Sequence, residues 1–451
     1  MKAKYLILIV AVAVVGIASY LTISRSPGRG PSVIVISVDT LRPDHLGCYG
    51  YDRETSPTVD RFAEESLLFE NCFAQAPTTR PSCGVILSGF FPHELKIFNN
   101  SDNLSDEVPT VTELLREKGY RTLGVVSNFV LRRRSGFDQG FDYYDDKMGE
   151  AELVRGIPER IAENTTDTAI NLLRLHHKQK FFMWIHYQDP HGPYTPKPPF
   201  NTMFVDQSAE PLELDVNETV SGIGGIPSYQ RLGDNRDFNY YVSQYDGEIR
   251  YFDEHFEGLI DALKELDLYD TALIIFTSDH GEGMGEHGYY FAHGEYVYNT
   301  LIRVPLIVRY GSKLQGREKE FAQIMDLVPT ILDVTGVGTK TAYRGVNLLG
   351  DLPSSRLVFA ERPGHYAVFS DGLKLIYHKG EKGYMLFDMT DDLYESRNLV
   401  DESEYKPRLR PLAENLAQLR EEDSLKGKVK RSSRRLSKDE KEKLKALGYV
   451  Q

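Results

Sequence analysis

The chain has 451 residues, 41% of them hydrophobic, which is enough for one large α/β domain with an appendage or for two or three domains. Its formal net charge of −13 argues against nucleic acid as a partner of the main body, because such binding needs a positive surface. The three cysteines, Cys48, Cys72 and Cys83, exclude a disulfide framework, since they allow one bridge at most.

The N-terminus predicts a membrane anchor. Residues 5–23 are apolar-rich and carry no charge, and Lys2 and Lys4 precede them. A run of this length suits a spanning helix and is long for the apolar part of a cleaved signal peptide. We expect a signal anchor that leaves the main domain on the extracytoplasmic side, periplasmic or extracellular. The stretch "GIAS" (16–19) offers a possible cleavage site. It keeps a second interpretation open, in which the signal is cleaved and the chain is secreted.

Apolar, β-branched runs alternate with amphipathic stretches along residues 31–354. The runs lie at 32–39, 122–128, 181–187, 272–279 and 304–310, and helical patterns lie at 56–66, 110–119, 238–266 and 321–336. Continuous apolar runs are typical of parallel strands buried on both faces. The alternation therefore predicts an α/β fold with a doubly wound, mostly parallel sheet; Pro329 interrupts the last helical pattern.

The character of the sequence changes after about residue 355. Runs at 366–379 and 384–389 are typical of short strands joined by turns, and from residue 411 the chain is charged and helical in pattern. We expect a signal anchor and linker (1–30), a main domain (31–354), a small antiparallel subdomain (355–410) and a charged helical tail (411–451).

The tail contains a basic stretch. Residues 426–438 hold seven basic residues and no acidic one, and Ser437 and Glu440 then form a capping-box pattern. One interpretation is a solvated helical tail. The other is a patch that faces anionic lipid beside the anchor.

Acidic and histidine residues follow the predicted strands. Asp39 ends the first run, Asp279 and His280 end the fourth, and His191 follows the third, with His293 further along. In an open α/β sheet, ligands bind beyond the carboxyl ends of the strands. Carboxylates, an imidazole and a hydroxyl oxygen suit a divalent cation.

The stretch "APTTRPSCGVILSG" (76–89) predicts a loop that turns into a helix, with Pro81 at the first helical position. Small hydroxylated residues crowd this turn, and a helix N-terminus of this kind favours anions. The open question is which hydroxyl or thiol group acts there as a nucleophile.

The motifs resemble the sulfatase branch of the alkaline phosphatase superfamily over roughly residues 31–400. The segments that carry the resemblance are 35–66, 79–89, 189–196, 277–288, 293–308 and 370–399. The resemblance implies that Asp39, Asp279, His280 and Thr79 hold one divalent metal ion. It also implies that His191 and His293 contact the ester oxyanion or protonate the leaving group.

The chain departs from this family at its nucleophile. The resemblance places Thr79 where sulfatases oxidise Cys or Ser to formylglycine, and threonine cannot become that aldehyde. Cys83 stands in the place of the signature Arg, Thr40 replaces a second Asp, and His280 stands where many sulfatases have Asn. A Thr nucleophile with an Asp-His metal pair is similar to lipoteichoic acid synthases and phosphoethanolamine transferases, which transfer phosphoryl groups.

We therefore expect a membrane-anchored, metal-dependent hydrolase or transferase of anionic phosphate or sulfate esters, with phosphoryl chemistry favoured and no formylglycine. Because His280 adds an imidazole, we favour Mn²⁺ or Zn²⁺, with Ca²⁺ and Mg²⁺ as alternatives. Three other hypotheses stay open. They are a sulfatase without formylglycine, a non-catalytic anion-binding relative, and a second metal site formed by Asp189, His191 and His293. Loops 92–108 and 200–236, where substrate selectivity is expected, contain no recognisable chemistry.

Overall fold

The structure, a computed structural model, describes residues 30–149, 156–380, 383–421, 429–432, 434 and 436–446. The predicted anchor at residues 5–23 lies outside these residues. None of the helices that are described has the length and apolar character needed to cross a membrane.

The strands form one large sheet and two smaller ones. In chain order they are β1 (Val33–Val38), β2 (Leu67–Phe73), β3 (Arg121–Val126), β4 (Tyr143–Asp145), β5 (Phe181–Tyr187), β6 (Asp215–Val216), β7 (Gly225–Ile226), β8 (Leu273–Ser278), β9 (Arg303–Tyr310), β10 (Gly316–Glu318), β11 (Ala322–Gln323), β12 (Val358–Arg362), β13 (His365–Ser370), β14 (Leu373–His378) and β15 (Gly383–Asp388).

The large sheet has the strand order β10-β2-β9-β8-β1-β5-β3-β4, and β11 also pairs with β2. Its centre is parallel: β1 lies between β5 and β8, and β3 continues the sheet beyond β5. This arrangement confirms the predicted fold class, a doubly wound and mostly parallel α/β sheet.

One predicted parallel strand is antiparallel. β9 runs opposite to both of its neighbours, β8 and β2. The chain between β8 and β9 contains the short helix Asn299–Ile302 and returns beside the sheet without a crossover helix. Burial on both faces produces the same continuous apolar pattern in either direction, so the pattern at 304–310 could not reveal the orientation.

Helices cover both faces of this sheet, whereas the helix Lys406–Glu421 packs against β13 and β14 of a smaller sheet. The helices span Pro57–Glu64, Thr79–Ser88, Pro92–Leu95, Val111–Glu117, Ala162–His176, Phe200–Met203, Phe238–Glu265, Asn299–Ile302, Leu327–Thr335, Lys406–Glu421 and Lys438–Ala446. Alternate residues of β1 enter two cores. Val33 and Val35 pack with the helices Thr79–Ser88 and Leu327–Thr335, whereas Ile34 and Ile36 pack with Phe238–Glu265.

Two predicted helix boundaries were wrong. The helix predicted at 321–336 begins only at Leu327, after β11 and a 3₁₀ turn, and it continues through Pro329. Proline is tolerated there because the first turn of a helix contains N–H groups without intrahelical partners. For the same reason Pro81 fits as the third residue of Thr79–Ser88, a helix that starts two residues earlier than expected.

The C-terminal region contains the predicted small antiparallel sheet, in the order β12-β13-β14-β15. Its first strand, β12, was not predicted. Phe359, Val368 and Leu375 of this sheet share a core with β1 of the large sheet, so apolar packing joins the two sheets. The helix Lys406–Glu421 begins before the expected residue 411.

The part of the tail that the structure describes lies against acidic residues of this chain. Arg434 places Nη2 2.8 Å from Asp106 Oδ1 and Nη1 3.6 Å from Asp138 Oδ1. The predicted capping box is present, since Ser437 N donates to Glu440 and Glu440 N donates to Ser437 Oγ. These ion pairs compete with the lipid contact expected of the basic stretch.

Candidate active site

The centre of the site is built by the carboxyl ends of β1 and β8. The two strands are parallel and pair Val38 with Ser278, so the next residues, Asp39 and Asp279, emerge side by side. Ser278 Oγ accepts a hydrogen bond from Leu41 N (3.1 Å) and donates one to the carbonyl of His280 (2.6 Å), which clamps the two turns together.

The turn after β1 is held in an uncommon backbone conformation. Thr40 has φ of 56°, in the left-handed region. Tyr245, from the helix Phe238–Glu265, donates to the carbonyl of Thr40 (2.8 Å) and accepts from Arg42 N (3.0 Å). The long helix therefore fixes the turn that presents Asp39.

Asp39, Asp279 and His280 form a fully buried group with ligand atoms within 4.8 Å of one another. His280 Nε2 lies 3.6 Å from Asp39 Oδ1 and 3.5 Å from Asp279 Oδ2. Within the described chain, neither of these carboxylate oxygens has a hydrogen-bond partner. Buried oxygens in this state are costly unless a cation or another donor reaches them, and the group therefore fits a metal ion.

The electrostatics of this group follow from burial and like charge. Burial and the neighbouring Asp39 raise the pKa of Asp279 well above its ordinary value. Burial opposes ionisation of Asp39 too, but His191 and a hydrogen bond with His186 outweigh it and lower the pKa of Asp39. Burial and His293 lower the pKa of His280 to about 3, which keeps this imidazole neutral and able to bind a metal.

Thr79 lies at this centre. It is the first residue of its helix and is fully buried. Its Oγ1 is 3.4 Å from His280 Nε2 and accepts a hydrogen bond from Asn100 Nδ2 at 3.5 Å. Asn100 is itself fixed, because its Oδ1 accepts from Arg80 N at 2.8 Å. The structure thus brings the predicted nucleophile to the predicted metal ligands.

His191 and His293 meet beside His280. The ring centroids of His191 and His293 are 5.2 Å apart, and those of His280 and His293 are 4.5 Å apart. His191 Nδ1 donates to the carbonyl of Gly192 at 2.7 Å, and His293 Nδ1 contacts Glu282 Oε1 at 3.2 Å. These contacts fix both rings at the site.

Asp189 does not join them. Burial raises the pKa of its carboxyl to about 6, and this carboxyl pairs with that of Glu248. Among the described residues, neither of the two clusters able to hold a metal includes Asp189, His191 or His293. The hypothesis of a second metal site at these three residues was therefore wrong, because the backbone after β5 turns Asp189 toward the helix Phe238–Glu265.

Several residues at the centre were missed from the sequence. Asn128 Nδ2 donates to Asp39 Oδ2 at 2.5 Å, and His186 Nε2 lies 3.4 Å from the same oxygen. Asn128 ends the apolar run at 122–128, so its position after a strand was a usable signal. His186 lies inside an apolar strand and Asn100 inside a featureless loop, so neither gave a signal.

Fold and site together define a class. A doubly wound sheet with a small antiparallel C-terminal sheet carries a buried Asp-Asp-His group and a helix-terminal hydroxyl at the carboxyl ends of its strands. The sulfatase family model matches residues 31–337, more than half of the chain. The protein belongs to the sulfatase family.

Similar proteins agree with this assignment. An N-acetylglucosamine-6-O-sulfatase of Bacteroides thetaiotaomicron is 25% identical over 92% of this chain and 91% of its own length. A structure bound to D-glucosamine-2-N,6-O-disulfate has a TM-score of 0.71 and 21% identity, covering 87% of this chain and 98% of its own. A phosphonate monoester hydrolase of Agrobacterium radiobacter has a TM-score of 0.69 and 19% identity, covering 86% and 95%.

Proposed function

We propose that this protein is a metal-dependent hydrolase or transferase of anionic esters that uses Thr79 as its nucleophile and prefers phosphoryl to sulfuryl groups. The observation that carries the proposal is the position of Thr79 Oγ1, 3.4 Å from His280 Nε2 and beside the two buried carboxylates. A threonine that only begins a helix would not need its hydroxyl group beside an imidazole and two buried carboxyl groups.

Asp39, Asp279, His280 and Thr79 would hold the metal. A divalent cation there lowers the pKa of a bound hydroxyl and offsets charge that develops on oxygen. Family members are metal-dependent, typically with Ca²⁺. The imidazole of His280 favours Mn²⁺ or Zn²⁺ instead, because Ca²⁺ prefers oxygen ligands.

The side chains divide the remaining work. Thr79 Oγ1 gives its proton to solvent and attacks phosphorus or sulfur, the bond from that atom to the ester oxygen breaks, and the alcohol leaves with a proton from His191 or His293, which that histidine regains from solvent. Water or an acceptor alcohol then displaces Thr79 from the intermediate and restores its hydroxyl. Asn100 holds Thr79 Oγ1 in place, and Glu282 orients His293.

The preference for phosphoryl groups follows from the chemistry of threonine. A formylglycine hydrate releases sulfate when its second hydroxyl collapses to the aldehyde, without attack on sulfur. Thr79 has no second hydroxyl, so its intermediate must be opened by displacement at sulfur or phosphorus. Metal-assisted, in-line displacement at phosphorus suits a site with a cation and oriented donors.

The test compares a nitrophenyl sulfate with the matching phosphate monoester, phosphate diester and phosphonate ester, using the purified full-length protein. We expect phosphorus esters to turn over faster, Thr79→Ser to keep activity, and Thr79→Ala to lose it almost completely. An active Thr79→Ala enzyme would rule out the nucleophile. A protein that binds metal and anions but turns over none of the esters would be a non-catalytic relative.

A second candidate function is sulfate ester hydrolysis through the same Thr79 intermediate. The observation that favours it is that several similar proteins are sulfatases, including the iduronate 2-sulfatase of Homo sapiens at 27% identity. The same panel decides between the two, since faster turnover of the sulfate ester would establish this second function.

We also propose that residues 5–23 form a membrane anchor and that the active site is extracytoplasmic. It rests on the charge-free run and its length. Protease treatment of intact cells tests it. A catalytic domain that is digested only after lysis would contradict the orientation, and a chain that begins after residue 23 in the mature protein would establish secretion instead.

A further inference from the structure

A second group of buried side chains lies next to the metal-binding group of Asp39, Asp279 and His280. Cys83, His186 and Asp279 offer ligand atoms that are all within 4.8 Å of one another, and all three residues are fully buried. The two groups share only Asp279. Cys83 lies one helical turn after Thr79 on the same helix, and His186 projects from β5, next to β1 in the sheet.

Within the described residues, no lysine or arginine forms an ion pair with the two carboxyl groups at this place. Asp39 and Asp279 are both buried, and within the described residues their ion-pair partners are only the imidazoles of His186 and His280. The resemblance to sulfatases puts Cys83 where their signature has an arginine. In this chain a buried thiol, which carries no fixed positive charge, lies beside the two carboxyl groups.

The donor set has a clear chemical preference. Thiolate, imidazole and carboxylate are the ligands of Zn²⁺ in proteins, and a thiolate disfavours Ca²⁺ and Mg²⁺. Cys83 is a free, buried thiol, and Asp279 Oδ2 has no hydrogen-bond partner within the described chain. That oxygen is shared with the first site, so the thiol of Cys83 and the imidazole of His186 are the ligands that belong to the second site alone.

His186 is already oriented for this role. Its Nδ1 lies 2.8 Å from Ser37 Oγ, and Ser37 Oγ also accepts a hydrogen bond from Trp184 Nε1 at 2.9 Å. Without a metal, Nε2 faces Asp39 Oδ2 at 3.4 Å and donates to it; metal binding would move the ring proton to Nδ1, where Ser37 Oγ accepts it, and would free Nε2 as a ligand. This is how a histidine ligand is usually fixed by its outer partner.

We propose that Cys83, His186 and Asp279 form a second, thiolate-containing metal site for Zn²⁺ or a similar soft divalent cation, adjacent to the site at Asp39, Asp279 and His280. Binding forms a bond between the metal and Cys83 Sγ and releases the thiol proton to solvent. The inference deepens the proposed function, because Asp279 serves both sites.

The experiment loads the chelator-treated full-length protein with Co²⁺ or Zn²⁺ and measures metal atoms per chain and absorption. We expect two metal atoms per chain and a thiolate-to-cobalt charge-transfer band in the near ultraviolet. Cys83→Ser, which is nearly isosteric, should bind one metal and lose the band. Cys72→Ser is the matched control, since Cys72 is also fully buried but lies in β2, and it should keep both metals and the band.

The outcomes separate this inference from the proposed function. One metal per chain with no thiolate band, together with ester turnover, overturns the second site and leaves the function standing. A thiolate band without turnover of any ester supports the second site and counts against the function. A band that survives in Cys83→Ser and disappears in Cys72→Ser overturns the assignment of the ligand.

Discussion

Two buried clusters of charge in this molecule are arranged in opposite ways. In the C-terminal region, Lys374 Nζ lies 2.5 Å from Glu395 Oε1 and also donates to the carbonyl of Val297 and to Asn299 Oδ1, each at 2.8 Å. At the carboxyl ends of β1 and β8, Asp39 and Asp279 have only imidazoles as ion-pair partners among the residues described.

The comparison distinguishes a charge pair that stabilises the fold from carboxyl groups that are suited to bind a ligand. The Lys374–Glu395 pair has its charges matched within the protein, although burial, partly offset by Glu395, still lowers the pKa of Lys374 to about 8. It joins β14 to the loops that follow β8 and β15. The two carboxyl groups at the site have no lysine or arginine as ion-pair partner among the described residues, and a divalent metal ion would supply the positive charge there.

The largest expected effect comes from removing one charge at the site. Asp279→Asn keeps the oxygen that accepts from Thr40 N and His280 N but weakens metal binding. We expect a loss of turnover of at least about 1,000-fold, about 4 kcal/mol in the barrier, with no loss of stability in metal-free protein. Ester kinetics and thermal unfolding measure both. A variant with full metal content and turnover would contradict the ligand assignment.

Removing one charge from the Lys374–Glu395 pair should lower the unfolding free energy and leave turnover unchanged. Glu395→Gln leaves Lys374 buried without a carboxylate, and we expect about 3 to 5 kcal/mol of lost unfolding free energy. Turnover per folded molecule should be unchanged at low temperature. Glu402→Gln is the control, because its pair with Arg397 is exposed and should contribute no more than about 1 kcal/mol. Equal effects of the two variants would contradict the comparison.

The pH dependence of the unfolding free energy of the metal-free protein should reveal the raised pKa of Asp279. Burial and Asp39 raise the pKa of Asp279 above 3.8, so the folded state keeps a proton that the unfolded state has lost. Its stabilising contribution is complete below 3.8 and is lost as the pH rises through the folded pKa. Denaturant unfolding of chelator-treated protein should therefore show Asp279→Asn gaining on the wild type as the pH rises. A constant difference between them would contradict the raised pKa.

A smaller effect is expected at Asn100. Its amide donates to Thr79 Oγ1, so Asn100→Ala should lower kcat by about 10- to 100-fold, while metal content stays the same. Asn103→Ala is the control, because Asn103 binds Arg80 and the carbonyl of Arg434 rather than Thr79. If both variants lose the same activity, the loop as a whole matters and Asn100 has no individual role.

The smallest effect is expected in the tail. Arg434→Ser removes exposed ion pairs with Asp106 and Asp138, and such pairs contribute about 1 kcal/mol or less. We expect almost unchanged unfolding and unchanged turnover. A large loss of turnover would mean that the tail supports the nearby loop that carries Asn100.

The sequence by itself determined the fold class and most of the site. Short, β-branched apolar runs are typical of buried strands, and polar residues at the carboxyl ends of parallel strands meet at one edge of the sheet, so Asp39, Asp279 and His280 were predictable. Thr79 followed from its resemblance to a known nucleophile position. The apolar runs, the polar residues at their ends and the motif around Thr79 are all patterns of residues that are close together in the sequence.

Only the tertiary structure decided the rest. The direction of β9 and the pairing of Asp189 with Glu248 depend on contacts between distant segments, which no local pattern encodes. His186 and Cys83 look like ordinary residues of an apolar strand and a buried helix. Packing β5 beside β1, with the helix Thr79–Ser88 over the strand ends, sets them against Asp279, because only the folded chain brings these three buried side chains to one point.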